Sequence, residues 1–141
     1  MEDELHYDQN GVSIVIRATG RATRAGFEAH LRGLLALPTL RRGRDVLLDY
    51  RSLEFGETSA YDVRANSKFV ISLSEQLGTG RWAIVMGSER DYALGRMWAS
   101  YTADGVKVVI SVFRSIEEAE KWLLAARKLS LKKNPKAVDT H

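Results

Sequence analysis

The amino-acid sequence predicts an α/β fold: one layered domain with a mixed sheet, built from an N-terminal antiparallel hairpin and three parallel strands, with about four helices. Short apolar or β-branched runs alternate with longer segments in which apolar residues recur every 3.6 positions. In such an alternation each helix carries the chain back to start a parallel neighbour, and the crossovers are right-handed. Hydroxyl residues stand where the helices should begin, placed to satisfy free backbone N–H groups.

Taken in order, the elements read β-β-α-β-α-β-α-β-α. Residues 5–7 form a short strand, and Asp8-Gln9-Asn10-Gly11 turns the chain, because Asn-Gly tolerates the positive φ of a tight hairpin. The second strand covers residues 12–18, rich in β-branched side chains. Thr23 caps a helix whose Phe27, Leu31, Leu34 and Leu35 share one face and which Pro38 stops. His30 lies in this helix with no other candidate ligand nearby and reads as a surface or boundary residue.

After the basic cluster Arg41-Arg42-Gly43-Arg44, the run Val46-Leu47-Leu48 is apolar without alternation, as in a strand covered on both faces. Asp49 and Arg51 mark its departure from the core. Ser59 with Asp62 three residues on resembles a capping box, and the helix behind it carries Val63, Val70, Leu73 and Leu77 up to Gly78. Residues 81–86 form the fourth strand. Ser88 caps a helix with Leu94, Met97, Trp98 and Tyr101 on one stripe, which reads as core packing. Residues 106–113 form the last strand. Ser115-Ile116-Glu117-Glu118 is a full capping box for the closing helix, whose buried face holds Ile116, Ala119, Trp122, Leu123 and Ala126. The domain spans residues 1–129, and residues 130–141 read as a frayed tail.

Composition narrows the function. Twenty-one basic and 18 acidic residues leave a net charge of +3, too small and too scattered for a nucleic-acid binder. There is no cysteine, so no disulfide framework, thiolate metal site or cysteine nucleophile. No apolar stretch is long enough for a signal peptide or a membrane span, and the expectation is a cytoplasmic protein without stable membrane insertion. The G-x-S-x-G, P-loop and G-x-G-x-x-G motifs are absent. His6, His30 and His141 are too dispersed for a metal site. No catalytic residue, cofactor or metal is expected.

In a parallel sheet, ligands and partners meet the carboxyl ends of the strands. Asp49, Arg51, Glu57, Thr58 and Ser59 follow the third strand and make a candidate interaction loop with two hydroxyls. Ser88, Arg90, Arg114 and Ser115 mark candidate anion-facing helix starts at the same edge, for which ordinary capping is the competing reading.

The segment Val46-Leu47-Leu48-Asp49-Tyr50-Arg51-Ser52-Leu53-Glu54-Phe55, followed by hydroxyls opening a helix, resembles the signature of STAS domains, the anti-sigma factor antagonist fold. Val112-Phe113-Arg114-Ser115-Ile116-Glu117-Glu118-Ala119-Glu120-Lys121-Trp122-Leu123 is similar to the closing segment of the SpoIIAA-like branch. The resemblance covers residues 5–126. It implies a STAS-type fold and a non-enzymatic protein-interaction module of unassigned partner, with a homodimer among its expectations. In antagonists the loop reads D-S-S-G-L and its serine is phosphorylated. Here Glu57-Thr58-Ser59-Ala60-Tyr61 keeps the acid and two hydroxyls and lacks the glycine and leucine, so Thr58 and Ser59 are the candidates. The branch also carries a lipid-binding association. That implies the alternative of a small apolar-ligand or lipid binder, with aromatics supplied by Phe69, Trp82, Trp98, Tyr101 and Trp122. It requires a cavity of roughly 300 Å³ or more.

Overall fold

A computed structural model of the chain describes residues 1–7, 14–38 and 44–133. The Asp8–Gly11 turn, the start of the second strand at Val12 and Ser13, the basic residues Arg41 and Arg42, and residues 134–141 of the tail lie outside the described residues.

Strand β1 (Glu2–Tyr7) pairs antiparallel with β2 (Ile14–Arg21), in a register running from Glu2 opposite Thr19 to Tyr7 opposite Ile14. Helix α1 (Arg24–Leu35) follows, with the Thr23 hydroxyl accepting from the Gly26 N–H. Then come β3 (Val46–Glu54), α2 (Ala60–Ser72), the single-turn α3 (Ser74–Leu77), β4 (Arg81–Val85), α4 (Glu89–Thr102), β5 (Val109–Phe113) and α5 (Ile116–Lys133). The sheet is five-stranded in the order β1-β2-β3-β4-β5, and every pairing after the first is parallel. The α/β class, the mixed sheet and the element order follow the sequence reading, with α3 added.

Strands laid down in one direction with crossovers of one hand put their connecting helices on the same face. Helices α1, α2 and α4 accordingly pack with one another and share a core with Ile14, Ile16, Val46, Leu48, Trp82 and Ile84. Helix α5 is not a crossover and covers the other face, where Ala119 and Leu123 meet Leu47, Ala83 and Val85. The period-2 alternation of the strands sorts these two sets. Between α2 and α4 a buried hydroxyl pair closes the seam. Thr102 donates to the Trp98 carbonyl at 2.7 Å, so Ser67 donates to Thr102, also at 2.7 Å.

Several boundaries differ from the sequence reading, each for a physical reason. Strand β3 does not leave the core at Asp49 but continues to Glu54, because the buried Asp49 is neutralised by Arg51. Its pairing with β2 slips between Arg17 and Thr19, a β-bulge that gives β3 one extra residue. Before the bulge Val46, Leu48 and Tyr50 face the main core; after it the parity flips and Leu53 and Phe55 do. The second helix is not continuous to Leu77. The Ser72 hydroxyl takes the Phe69 carbonyl, which Leu73 would need to extend α2, and Leu73 turns back to Val70 and Ile71. Strand β5 begins at Val109, behind a 3-10 turn over Ala103–Gly105. Helix α5 runs through Lys133, past the boundary read at residue 130.

Candidate functional site

The carboxyl ends of β2 and β3 outrun β4, whose ladder with β3 stops at Asp49 opposite Val85. This overhang, with α1, α2 and α4 around it, encloses a cavity of about 560 Å³. Leu48, Tyr50, Trp82, Ile84 and Met86 come from the sheet and the end of β4; α1 adds Phe27 and Leu31, and α4 adds Leu94 and Trp98. The bulge in β3 matters here, because the parity it imposes turns Phe55 to the cavity side. Phe55 then stacks on Phe27, with ring centroids 6.0 Å apart, and Phe27 meets Tyr50 edge-on at 5.8 Å.

Set in this apolar wall is a polar chain. The Asp3 carboxylate on β1 lies 2.7 Å from His30 Nδ1, and His30 Nε2 lies 2.8 Å from the Tyr50 hydroxyl. His30 is only 5% exposed, so the surface or boundary reading is corrected. The sequence does carry the signal: His30 sits three residues after Phe27 and four before Leu34, on the buried stripe. Burial, and secondarily the charge of Asp3, push the Tyr50 phenol well above its ordinary pKa. Tyr50 therefore stays neutral. A second polar feature is the indole N–H of Trp82, a residue 1% exposed and part of the cavity wall, which finds no acceptor among the described residues. An orphan buried donor costs about 1–3 kcal/mol.

The mouth is polar. Arg21, Ala22, Thr23 and Arg24 bring the end of β2 and the start of α1 to it, and Gly56, Glu57 and Thr58 bring the loop after β3. Thr58 donates its hydroxyl to the Phe55 carbonyl, which also accepts from the Thr58 N–H. Ser59 forms a complete capping box with Asp62: the Ser59 hydroxyl accepts from the Asp62 N–H, and the Asp62 carboxylate accepts from the Ser59 N–H. Those bonds, the backbone one foremost and then the Ser59 hydroxyl, hold the Asp62 pKa below the usual carboxylate value; slight desolvation opposes them and the Arg24 charge helps. Asn66 accepts from the Trp98 indole at 2.8 Å and lines the cavity beside it.

The candidate residues separate in space. Glu57 and Thr58 line the cavity mouth, and Ser59 shapes the loop that carries them. Arg90 clamps that loop by donating to the Gly56 carbonyl. Ser88 caps α4 through the Asp91 N–H, and Ser115 caps α5 through the Glu118 N–H; neither lines the cavity. Arg114 faces Glu89 at 3.6 Å on the exposed rim. Asp49 and Arg51 lie on the opposite face of the sheet, joined by bonds of 2.9 and 3.0 Å, where Glu117 of α5 adds its charge to Arg51. Of the aromatics named from sequence, Trp82 and Trp98 line the cavity. Trp122 packs on Phe113 beneath α5, while Phe69 and Tyr101 lie under Arg32 and Arg64. The rings that sequence reasoning missed are Phe27, Tyr50 and Phe55.

Among the described residues, no group of three or more histidines or carboxylates is placed to hold a metal ion, and no helix is long and apolar enough to cross a membrane. Fold and site together define an α/β domain with an aromatic-lined cavity at the carboxyl edge of its parallel strands. No protein-family model matches the chain, and none of the curated proteins matches it.

Proposed function

We propose that this protein is a STAS-like, non-enzymatic binding module that takes a small, largely apolar molecule into the cavity above β3 and β4. The cavity itself carries the reading. Its volume of about 560 Å³ falls within the range of roughly 300–1,000 Å³ that small-molecule sites occupy, and a mainly apolar wall with a few convergent polar groups is their usual chemistry. The STAS-like part is supported by the mixed sheet with its antiparallel first strand and by the closing helix that covers the far face.

The protein-interaction reading draws on one feature, the exposed Ser59 and Tyr61 at the loop that walls the cavity, Tyr61 being 71% exposed. Ligand and loop are then parts of one device, because Thr58 lines the mouth while its neighbours face solvent.

The neutral fluorophore 1-aminoanthracene tests the cavity. It should bind at one equivalent per chain. Ala22→Trp, at the half-buried mouth, should weaken it at least tenfold without lowering the melting temperature. Equal binding by both proteins would refute the proposal.

A further inference from the structure

For a neutral His30 ring, the geometry of the Asp3–His30–Tyr50 chain assigns its protons. A carboxylate only accepts, so at the Asp3–His30 contact Nδ1 of a neutral ring carries the hydrogen. Nε2 is then left with a lone pair alone. The Tyr50 hydroxyl, 2.8 Å away, must donate to it. Thr58, at the mouth, has likewise committed its proton to the Phe55 carbonyl. Of the three hydroxyls that line the cavity, Tyr50 and Thr58 thus keep only acceptor capacity for anything that enters, while Thr23, at the mouth, accepts from the Gly26 N–H.

We propose that the cavity selects a neutral phenol or alcohol, whose O–H donates to the Tyr50 oxygen, over molecules of the same shape that can only accept. The inference rests on the ligand-binding reading above and names the ligand class. Tyr50 is the contacting group. His30 and Asp3 are positioning residues: Asp3 does not line the cavity, and His30, which does, acts by holding the phenol's proton away from the ligand. A site built to accept a hydrogen bond discriminates against an analogue lacking the donor, because a buried acceptor is then left without a partner. The raised pKa of Tyr50 keeps this polarity fixed, since the phenol does not ionise in the accessible range.

The test uses three probes on one ring system: 2-naphthol, 2-methoxynaphthalene, which keeps the oxygen and loses the donor, and naphthalene. Binding is followed at pH 7.5 by the indole N–H signals of Trp82 and Trp98, both in the wall. The wild-type protein should bind the naphthol about tenfold more tightly than its methyl ether. Tyr50→Phe should bring the two within about twofold and leave naphthalene unchanged. His30→Gln keeps an acceptor for the phenol and should retain the preference. His30→Leu frees the phenol proton, so the ether should gain and the preference collapse, a change that mere loss of packing would not produce.

If the wild-type protein binds naphthol and ether equally while naphthalene binds, this inference falls and the cavity reading stands. The same follows if His30→Leu keeps the full preference. If none of the three probes binds, naphthalene included, both fall. Tyr50→Phe removes a single oxygen and decides the matter should the His30 variants fail to fold.

Discussion

Asp49 is a carboxylate with 6% of its surface exposed, on the sheet face that α5 covers. Burial, the largest influence, would raise its pKa; Arg51 outweighs it, with two side-chain bonds, a backbone N–H and its charge, and Arg17 adds to the field. The net direction is down. Its folded pKa therefore lies below the unfolded value of about 3.9. The stability this contributes is complete above that value and is lost as the pH falls through the folded pKa. Arg51→Met should cost about 1–2 kcal/mol at pH 7, the scale of a charged hydrogen bond to a half-exposed partner. The gap between variant and wild type in urea unfolding should shrink from pH 4 downward. A gap that stays constant to pH 2 would show that the pair contributes nothing through its charge. Read as sequence, Asp49 and Arg51 look like the end of a strand, because two charges two residues apart normally face water. Only their mutual pairing keeps the strand in the core, and pairing is a fact of geometry that residue type does not carry.

At the scale of elements, β3 shows what is legible and what is not. Its apolar first half is plain in the sequence. Its second half is hidden by the bulge, since an inserted residue breaks the period of two on which strand recognition depends. Beyond Asp49 the strand leaves its ladder with β4, yet the chain after β4 still passes close by. A side chain at Gly87 would place its Cβ 2.5 Å from the Arg51 carbonyl oxygen, a contact with backbone that cannot swing aside. Gly87→Ala should therefore cost about 1–3 kcal/mol, measured by chemical denaturation. It should also shift the loop that Arg90 holds at Gly56. An alanine variant as stable as the parent would mean that this approach relaxes freely. Helix α2 fails to reach Leu77 for a similar local reason, a serine hydroxyl taking a carbonyl the helix needed, and a stripe of Leu73 and Leu77 in the sequence gives no sign of it.

For the whole molecule, alternation alone yields the layer order, since a chain of short apolar strands and amphipathic helices has few other ways to bury both. The cavity is not legible in that way. A void is set by the volume that neighbouring side chains fail to fill, and the stripes of α1, α2 and α4 read as ordinary core. What the sequence does offer are the residues of its polar seam, once their positions are counted on the helix stripe and the strand parity: His30 with Phe27 and Leu34, Tyr50 with Val46 and Leu48. That seam joins the sheet's outermost strand, its first crossover helix and a central strand. Among the described residues strand β1 has a neighbour on one side only, so its backbone amides open more readily than those of β3 or β4. Asp3 is its tether to the interior. A molecule that holds Tyr50 and His30 in place also holds Asp3, and opening of β1 then has to break a fuller set of contacts. Amide hydrogen exchange at residues 2–5 should therefore slow when 2-naphthol is bound, and that slowing should vanish in Asp3→Ala. The sheet's outer edge becomes a readout of events at its centre, and occupancy of the cavity can be followed from a strand at the surface.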